Sequence, residues 1–279
     1  MSSRPAVLTT GSSGQSRFAG LPLNLGVGHH DDLYVSLNCA VNAPGRPPFW
    51  PSVLRWLASI ANSWAHFLPL LLVGPFSRRA ASAIYRSWTR ITYRIAGITY
   101  SLRDDNEGEP GPQPHLYVWL NQSSLAEGLV CPLLLPPHYA IINLEYAAMP
   151  LLGWARVLLR DTVIVRQWKA QAKRAIERAA ARLARGEAWM ISIEGARSPD
   201  GRLMPYKKGP VVMALRSQAT IIPMIFHGSR EVMPRGEWRV RPGHIELHLL
   251  KAIPTRGMTY DDRDAVLEKL HRLAECELA

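Results

Sequence analysis

Between residues 97 and 276 the chain alternates short apolar runs with helical patterns, and this alternation is the feature that most constrains its fold. Runs of strand length occupy residues 97–100, 116–120, 139–143, 161–166, 188–193, 220–225 and 244–250. Helical patterns occupy residues 125–135, 167–185, 208–215 and 261–276, and residues 149–154 read as a further helix or turn. The order predicts an α/β fold with a central, largely parallel or mixed sheet flanked by helices.

Two polar segments directly follow two of these strands. Residues 121–127 read Asn-Gln-Ser-Ser-Leu-Ala-Glu, and residues 194–198 read Glu-Gly-Ala-Arg-Ser. Together they resemble the two signature motifs of the glycerolipid acyltransferase family, the enzymes that acylate glycerol-3-phosphate and lysophosphatidic acid. The first family motif is His-x-x-x-x-Asp, usually within Asn-His-x-Ser-x-x-Asp. In this chain Gln122 occupies the histidine position and Glu127 the aspartate position.

Two further blocks extend the resemblance over residues 115–230. The strand that ends in Arg166 is similar to the family's Gly-x-Ile-Phe-Ile-Asp-Arg block, and residues 222–225 are like its Val-Pro-Val-x-Ile block. The second motif resembles Phe-Pro-Glu-Gly-Thr-Arg-Ser, with Ile193 in place of proline and Ala196 in place of threonine. Four blocks in the family's order imply the family's fold.

The resemblance implies a mechanism in which the motif histidine removes a proton from a glycerol hydroxyl, while the aspartate orients the histidine. Gln122 cannot accept that proton, because a carboxamide only donates and accepts hydrogen bonds near neutral pH. Glu127 could take the proton if burial raised its pKa, or a water could take it while Gln122 orients the hydroxyl. Gln122 and Glu127 are therefore the predicted catalytic positions. Neither His115 nor His138 is expected to act as a substitute base, and His138 is expected in an exposed loop.

The remaining motif residues are predicted to bind the substrate. Arginine suits phosphate because its planar fork donates two parallel hydrogen bonds, and glycine lets the backbone approach a ligand closely. Glu194 is expected both to support the structure and to position the substrate. The resemblance assigns substrate and phosphate binding to Asn121, Ser124, Arg166, Glu194, Gly195, Arg197, Ser198 and Lys208.

The N-terminal part divides into a leader and a predicted membrane anchor. Residues 1–49 are rich in Gly, Ser, Pro and Asn and are expected to be flexible. Residues 50–76 are strongly apolar, with polar interruptions that favour an interfacial or half-inserted helix over a spanning one. Residues 78–98 predict a basic amphipathic helix, which either anchors the chain at a membrane or packs on the domain as a solvated helix. Residues 99–279 form the predicted acyltransferase-like domain.

Net charge limits the partners that the sequence predicts, and the cysteines indicate whether a metal site or disulfides are expected. The formal net charge of +11 favours an anionic bilayer surface or a phosphorylated substrate. Without a recognised nucleic-acid motif, no nucleic-acid partner is expected. The three cysteines, Cys39, Cys131 and Cys276, form no C-x-x-C pair, so neither a metal site nor a disulfide framework is expected. Cys131 is expected to be a small core residue.

These observations lead to two functional hypotheses. The first is a membrane-associated acyltransferase at the cytoplasmic face. It would use acyl-CoA or acyl-carrier protein as donor, a lysophospholipid or similar alcohol as acceptor, and no other cofactor. The second is a catalytically silent relative that binds lipid or acyl chains. Arg166, Arg197 and Lys208 suit both hypotheses, whereas Gln122 and Glu127 set them apart.

Overall fold

A computed structural model of the chain describes residues 48–109, 111 and 113–278. The predicted leader, residues 1–49, lies outside the described residues except for its last two positions. Of these, Phe49 begins the first helix.

The described chain contains an N-terminal helical pair followed by an α/β domain. The helices are α1 (Phe49–Val73), α2 (Arg78–Ala96), α3 (Leu125–Leu134), α4 (Leu144–Ala147), α5 (Leu152–Leu158), α6 (Lys169–Leu183), α7 (Lys208–Ser217), α8 (Ser229–Val232) and α9 (Arg263–Leu278). The strands are β1 (Ile98–Asp104), β2 (His115–Trp119), β3 (Tyr139–Asn143), β4 (Thr162–Ile164), β5 (Trp189–Ser192), β6 (Thr220–His227) and β7 (Gly243–Leu249).

The strands form one mixed sheet, which confirms the predicted fold class. Their spatial order is β1-β7-β6-β2-β5-β3-β4. The pairs β1–β7, β6–β2, β2–β5, β5–β3 and β3–β4 are parallel, and β6–β7 is antiparallel. Strand β2 is central, so both of its faces are buried. Leu116 and Val118 belong to the apolar cluster on one side of the sheet, and Tyr117 and Trp119 belong to the cluster on the other side.

The two N-terminal helices pack against each other through the polar residues that interrupt the apolar pattern of α1. The Asn62 side chain donates hydrogen bonds to the Trp88 carbonyl and to Thr92 Oγ1, at 3.1 and 3.0 Å. One ring nitrogen of His66 lies 3.2 Å from Ser87 Oγ. These groups therefore face α2, and large apolar side chains are left on the outer face of α1.

Helix α1 is long and apolar enough to cross a membrane by length and composition alone. Its exposed apolar side chains are Phe49, Trp50, Leu54, Trp56, Leu57, Ile60, Trp64, Leu68, Leu71 and Leu72.

Two local details differ from the sequence prediction. Strand β4 ends at Ile164, two residues before Arg166, so Arg166 lies in the loop that leads to α6. In α2 the apolar residues of the amphipathic pattern are Ile84, Trp88, Ile91 and Ile95; Trp88 is buried, but the three isoleucines are only half-buried, and Tyr85 and Tyr93 are the fully buried side chains. The aromatic side chains reach further into the space between α2 and the domain.

Candidate functional site

A cavity of about 630 Å³ lies at the carboxyl ends of the parallel strands, beside the N-terminus of α3. The register places Trp119, Ser192, Asn143 and Ile164 at this end of β2, β5, β3 and β4, and all four line the cavity. Ligands of open α/β sheets characteristically bind at this end of the strands. Apolar side chains form much of the wall: Trp119, Leu125, Ile141, Ile142, Met149, Ile164, Ile176, Met190 and Ile191.

Gln122 lines the cavity from the loop between β2 and α3. Its backbone is held on both sides by the second motif. The Gln122 amide donates to Glu194 Oε2 at 2.7 Å, and the Ser198 amide donates to the Gln122 carbonyl at 2.6 Å. The other Glu194 oxygen accepts from the Met204 amide at 2.6 Å. The buried Glu194 carboxylate thus joins the two motif loops. Its hydrogen bond to the Gln122 amide fixes the backbone from which the Gln122 side chain reaches the cavity.

Glu127 is fully buried at the first turn of α3 and is not among the residues that line the cavity. It is the acidic member of a capping box with Ser124. Its carboxylate accepts from the Ser123 amide at 3.1 Å, the Ser124 amide at 3.0 Å and Ser123 Oγ at 2.6 Å. The hydroxyl of Ser229, which follows β6, donates a further short hydrogen bond to the same oxygen.

The buried position changes the acidity of Glu127. Burial raises its pKa from an ordinary value of 4.5 to about 7, although the hydrogen bonds from Ser123, Ser229 and Ser124 oppose the change. A pKa raised by burial was the condition on which Glu127 could act as a base, and this condition is met. The expectation that the carboxylate could take a proton directly from a bound hydroxyl does not fit the geometry, because the helix-capping hydrogen bonds hold the carboxylate behind the cavity wall.

Three cationic side chains line the cavity close to the Gly195 turn: Arg166, Arg197 and Lys207. Arg166 Nη1 donates to the Gly195 carbonyl at 3.0 Å, and its other nitrogen lies 3.4 Å from Glu145 Oε2. Gly195 has a φ of +68°, and a Cβ atom there would lie 2.6 Å from Lys207 Nζ. Burial, together with the charge of Arg166, lowers the pKa of Lys207. Positive charge therefore converges on a backbone position that only glycine fits without strain.

Lys208, which was predicted to bind phosphate, is not brought into the site. Its ammonium lies 2.9 Å from Asp264 Oδ1, and helix α7 begins at this residue, so the neighbouring Lys207 is the lysine that lines the cavity. The pattern of a lysine before a glycine, Lys208-Gly209, identified the correct segment. The lysine that lines the cavity is the preceding residue, Lys207.

Asn121 and Ser198, which were also predicted to bind substrate, are engaged in structural hydrogen bonds. The Asn121 side chain bridges to Phe226 on β6 by donating to its carbonyl at 2.8 Å and accepting from its amide at 2.9 Å. Ser198 Oγ donates to Asp200 and accepts from the Gly201 amide. Ser124 is the N-cap of α3 and lines the cavity.

Neither His115 nor His138 lines the cavity. His115 begins β2, at the opposite end of the sheet, and contacts the Gly111 carbonyl at 2.9 Å. His138 precedes β3 at that same end and is buried rather than exposed, because it packs near Tyr117 and contacts the Pro136 carbonyl. Burial lowers the pKa of His138 to about 3. Cys131 is buried, as predicted.

Sequence reasoning missed four residues that shape the site. Ser229 contacts Glu127, Lys207 supplies a cavity cation, Asn143 donates to the Gly195 carbonyl at 3.2 Å, and Arg235 donates to the Arg197 carbonyl at 2.8 Å. Asn143 ends a predicted strand, which is a usable signal. Ser229 and Arg235 belong to no recognised block and are revealed only by the fold.

A family model described as Acyltransferase matches residues 118–227. The chain is similar to the 1-acyl-sn-glycerol-3-phosphate acyltransferase of Limnanthes alba, with 29% identity over 216 residues, covering 76% of this chain and 75% of the relative. It is similar to the human alpha enzyme of that name, with 24% identity over 214 residues and 75% coverage of both chains.

Among solved structures, the fold is similar to that of the 1-acyl-sn-glycerophosphate (LPA) acyltransferase PlsC from Thermotoga maritima. The TM-score is 0.62 with 19% sequence identity, and the match covers 81% of this chain and 98% of the other.

Proposed function

Because the chain belongs to the glycerolipid acyltransferase family, we propose that it transfers an acyl group from a thioester donor to the free hydroxyl of 1-acyl-sn-glycerol-3-phosphate or a similar lysophospholipid. The donor is acyl-CoA or acyl-carrier protein. The observation that carries the proposal is the convergence of Arg166, Arg197 and Lys207 on the Gly195 turn at the edge of an otherwise largely apolar cavity.

The three cations fit a phosphomonoester. A phosphate presents several oxygen acceptors and a double negative charge, which guanidinium groups bind in a bidentate manner. Arg166 already donates to the Gly195 carbonyl, so its fork is oriented towards the turn before a ligand arrives. A neutral lysolipid would supply no anion for these three cations, of which Arg166 alone is described above with a carboxylate neighbour, Glu145, so the site favours an acceptor with a terminal phosphate.

The apolar part of the cavity fits an acyl chain. Its volume of about 630 Å³ lies within the range of roughly 300–1,000 Å³ that small-molecule sites occupy. The apolar wall extends from Leu125 at the start of α3 to Ile176 on α6. A thioester bound with its chain along this wall would present its carbonyl near Gln122.

In the proposed reaction Gln122 orients the acceptor hydroxyl towards the thioester carbonyl. The ester C–O bond forms, the thioester C–S bond breaks, and the proton released by the hydroxyl passes through water to the departing thiolate. Water is favoured as carrier over Glu127 because the Glu127 carboxylate lies behind the cavity wall. Catalysis then relies on positioning and charge alone. The rate lacks the enhancement of about 10²–10⁴-fold that a general base supplies.

The residues that line the cavity also favour a second candidate, a catalytically silent protein that binds lipid. Among the described residues that line the cavity there is no histidine, and the carboxylate of Glu145 is paired with Arg166. A groove of this kind retains the means to bind a lysophospholipid without a side chain that takes its proton.

We further propose that the N-terminal helices hold the chain at the cytoplasmic face of an anionic membrane. The outer face of α1 exposes a band of tryptophan and leucine side chains, and such side chains partition into the interfacial region of a bilayer. On α2, Arg90 and Arg94 are exposed and add positive charge, which anionic lipids of the cytoplasmic leaflet attract. A lysophospholipid acceptor resides in the same membrane.

The test is a transfer assay with the full chain in detergent or vesicles, with labelled acyl-CoA and labelled acyl-carrier protein supplied separately. The acceptors are 1-acyl-sn-glycerol-3-phosphate and the matching 1-monoacylglycerol, which lacks only the phosphate. The proposal predicts diacyl product from the phosphorylated acceptor and a preference for it that Arg166→Ala removes. Tight binding of the phosphorylated lipid without product from either donor would support the silent candidate instead.

A further inference from the structure

A second polar cluster lies away from the cavity, on the face of the sheet that α9 covers. In the antiparallel β6–β7 pair, Ile225 opposes His248 and His227 opposes Glu246, so His227 and His248 are diagonal neighbours on one face. Their ring centroids are 6.4 Å apart. Glu277, in the last turn of α9, contacts both histidines from the helix that covers this face of the sheet.

The potential ligand atoms of this cluster are close together. His248 Nδ1 lies 2.7 Å from Glu277 Oε1, and His227 Nε2 lies 3.5 Å from the same oxygen. One nitrogen from each ring and one carboxylate oxygen all lie within 4.8 Å of one another. His248 is completely buried. Among the described residues, His227 Nε2 lies near Glu277 Oε1 and His248 Nε2 lies near Asp105 Oδ2, but neither contact has hydrogen-bond geometry. His248 Nδ1 is hydrogen-bonded to Glu277, whereas the buried His227 Nε2 makes no hydrogen bond among the described residues, and a buried nitrogen without a hydrogen bond costs free energy.

We propose that His227, His248 and Glu277 bind one divalent transition metal ion, with Zn²⁺ as the ion that the donor set fits best. Two imidazole nitrogens and one carboxylate oxygen form a set that suits zinc, with a water molecule as fourth ligand. Magnesium and calcium prefer all-oxygen surroundings, so the two histidines disfavour them.

The surroundings provide orientation and access. Asp105 Oδ2 lies 3.0 Å from His248 Nε2, the nitrogen that faces away from Glu277. A carboxylate at this position orients a metal-binding imidazole and increases its basicity. Arg103 Nη1 lies 3.6 Å from Glu277 Oε1, and a bound cation would replace it as the counter-charge. The side chains of His227 and Glu277 are 34% and 24% exposed, which leaves a route from solvent.

The site would join three separate parts of the chain. His227 ends β6, His248 lies in β7, and Glu277 comes from the C-terminal helix. Ser229, two residues after His227, contacts Glu127 at the base of the acyltransferase site. A metal ion that binds only the folded chain stabilises it by mass action, and here it would hold α9 against the strand that positions Ser229.

The test is metal titration of the full chain in detergent, without an affinity tag and after treatment with a chelator. Zn²⁺ is the calorimetric probe, and Co²⁺ reports the ligand geometry through its visible absorption. We expect one equivalent per chain, a tetrahedral Co²⁺ spectrum and a higher melting temperature with Zn²⁺. His227→Ala and Glu277→Gln should each abolish the spectrum, and Asp105→Asn should weaken binding by about 10–100-fold at unchanged stoichiometry.

His271→Ala is the matched control, because the partly exposed His271 lies on the same helix beside Glu275 and outside the cluster. It should bind Zn²⁺ as the native chain does. Absence of stoichiometric binding by the native chain would overturn the proposal, and so would native affinity in both His227→Ala and Glu277→Gln. None of these readouts depends on acyl transfer, so the outcome is independent of the proposed function.

Discussion

Replacing Glu127 with glutamine tests the most unusual electrostatic feature of the site. The native carboxyl group is completely buried, and its pKa is raised from 4.5 to about 7. The amide of glutamine has nearly the same shape, can accept from the Ser123 and Ser124 amides and can donate to Ser229, but it does not ionise. The substitution therefore removes the titration while it preserves most of the helix cap.

The magnitude follows from the two pKa values. Between pH 4.5 and 7 the folded chain retains a proton on Glu127 that the unfolded chain has released, so the free energy of unfolding falls as the pH rises through this window and is level above it. Since a tenfold change in proton affinity corresponds to about 1.4 kcal/mol, the fall amounts to about 3 kcal/mol. Glu127→Gln should lack this contribution at every pH.

The assay is chemical denaturation in non-ionic detergent from pH 4.5 to 8, with the difference between variant and native chain plotted against pH. Subtraction cancels other titrating groups. The control is Glu268→Gln, an exposed carboxylate on α9 paired with Arg272, which should give a flat difference. A flat difference for Glu127→Gln as well would refute the reasoning, because it would mean that Glu127 titrates alike in the folded and unfolded chain.

Three further predictions concern the cavity and its support. Lys207→Ala should raise KM for a phosphorylated acceptor by about 10–100-fold, because it removes a hydrogen bond to a charged group, which contributes about 1.5–3 kcal/mol. Lys208→Ala is the control and should leave KM unchanged in the same assay. Gly195→Ala should cost about 1–2 kcal/mol in chemical denaturation, because the left-handed backbone disfavours a Cβ atom; native stability would contradict this. Asp161→Asn leaves the buried Arg156 without its ionic partner and should cost about 3–5 kcal/mol by the same method; a loss below 1 kcal/mol would show that the pair is not essential.

The alternation of apolar runs was sufficient to predict the α/β class and nearly every long element, because period and length are local properties of the chain. The antiparallel direction of β7 was not predicted, since strand direction depends on a connection whose path is set by packing. Similarly, the amphipathic pattern of α2 indicates Trp88 and the isoleucines as its apolar face; Trp88 is buried, but Tyr85 and Tyr93 are more fully buried than the isoleucines.

At the site, motif position predicted which loops meet but not the role of each side chain. Gln122 and Arg166 line the cavity as expected, whereas Glu127 is directed inward by the capping geometry of α3. The choice between Lys207 and Lys208 depends on where a helix begins, and helix boundaries are poorly determined by sequence. The contact between Ser229 and Glu127 joins distant segments and has no local signal.

The most direct test of the account is the initial rate of acyl transfer to 1-acyl-sn-glycerol-3-phosphate by the native chain, measured beside Gln122→Ala and Gln122→His at saturating donor. If the chain is an acyltransferase, the native rate is measurable, the rate of Gln122→Ala is lower, and the rate of Gln122→His is higher by up to about 10²–10⁴-fold, because an imidazole supplies a base. A native rate no different from that without protein, with activity only in Gln122→His, would contradict the account and identify the chain as a lipid-binding relative whose groove lacks its base.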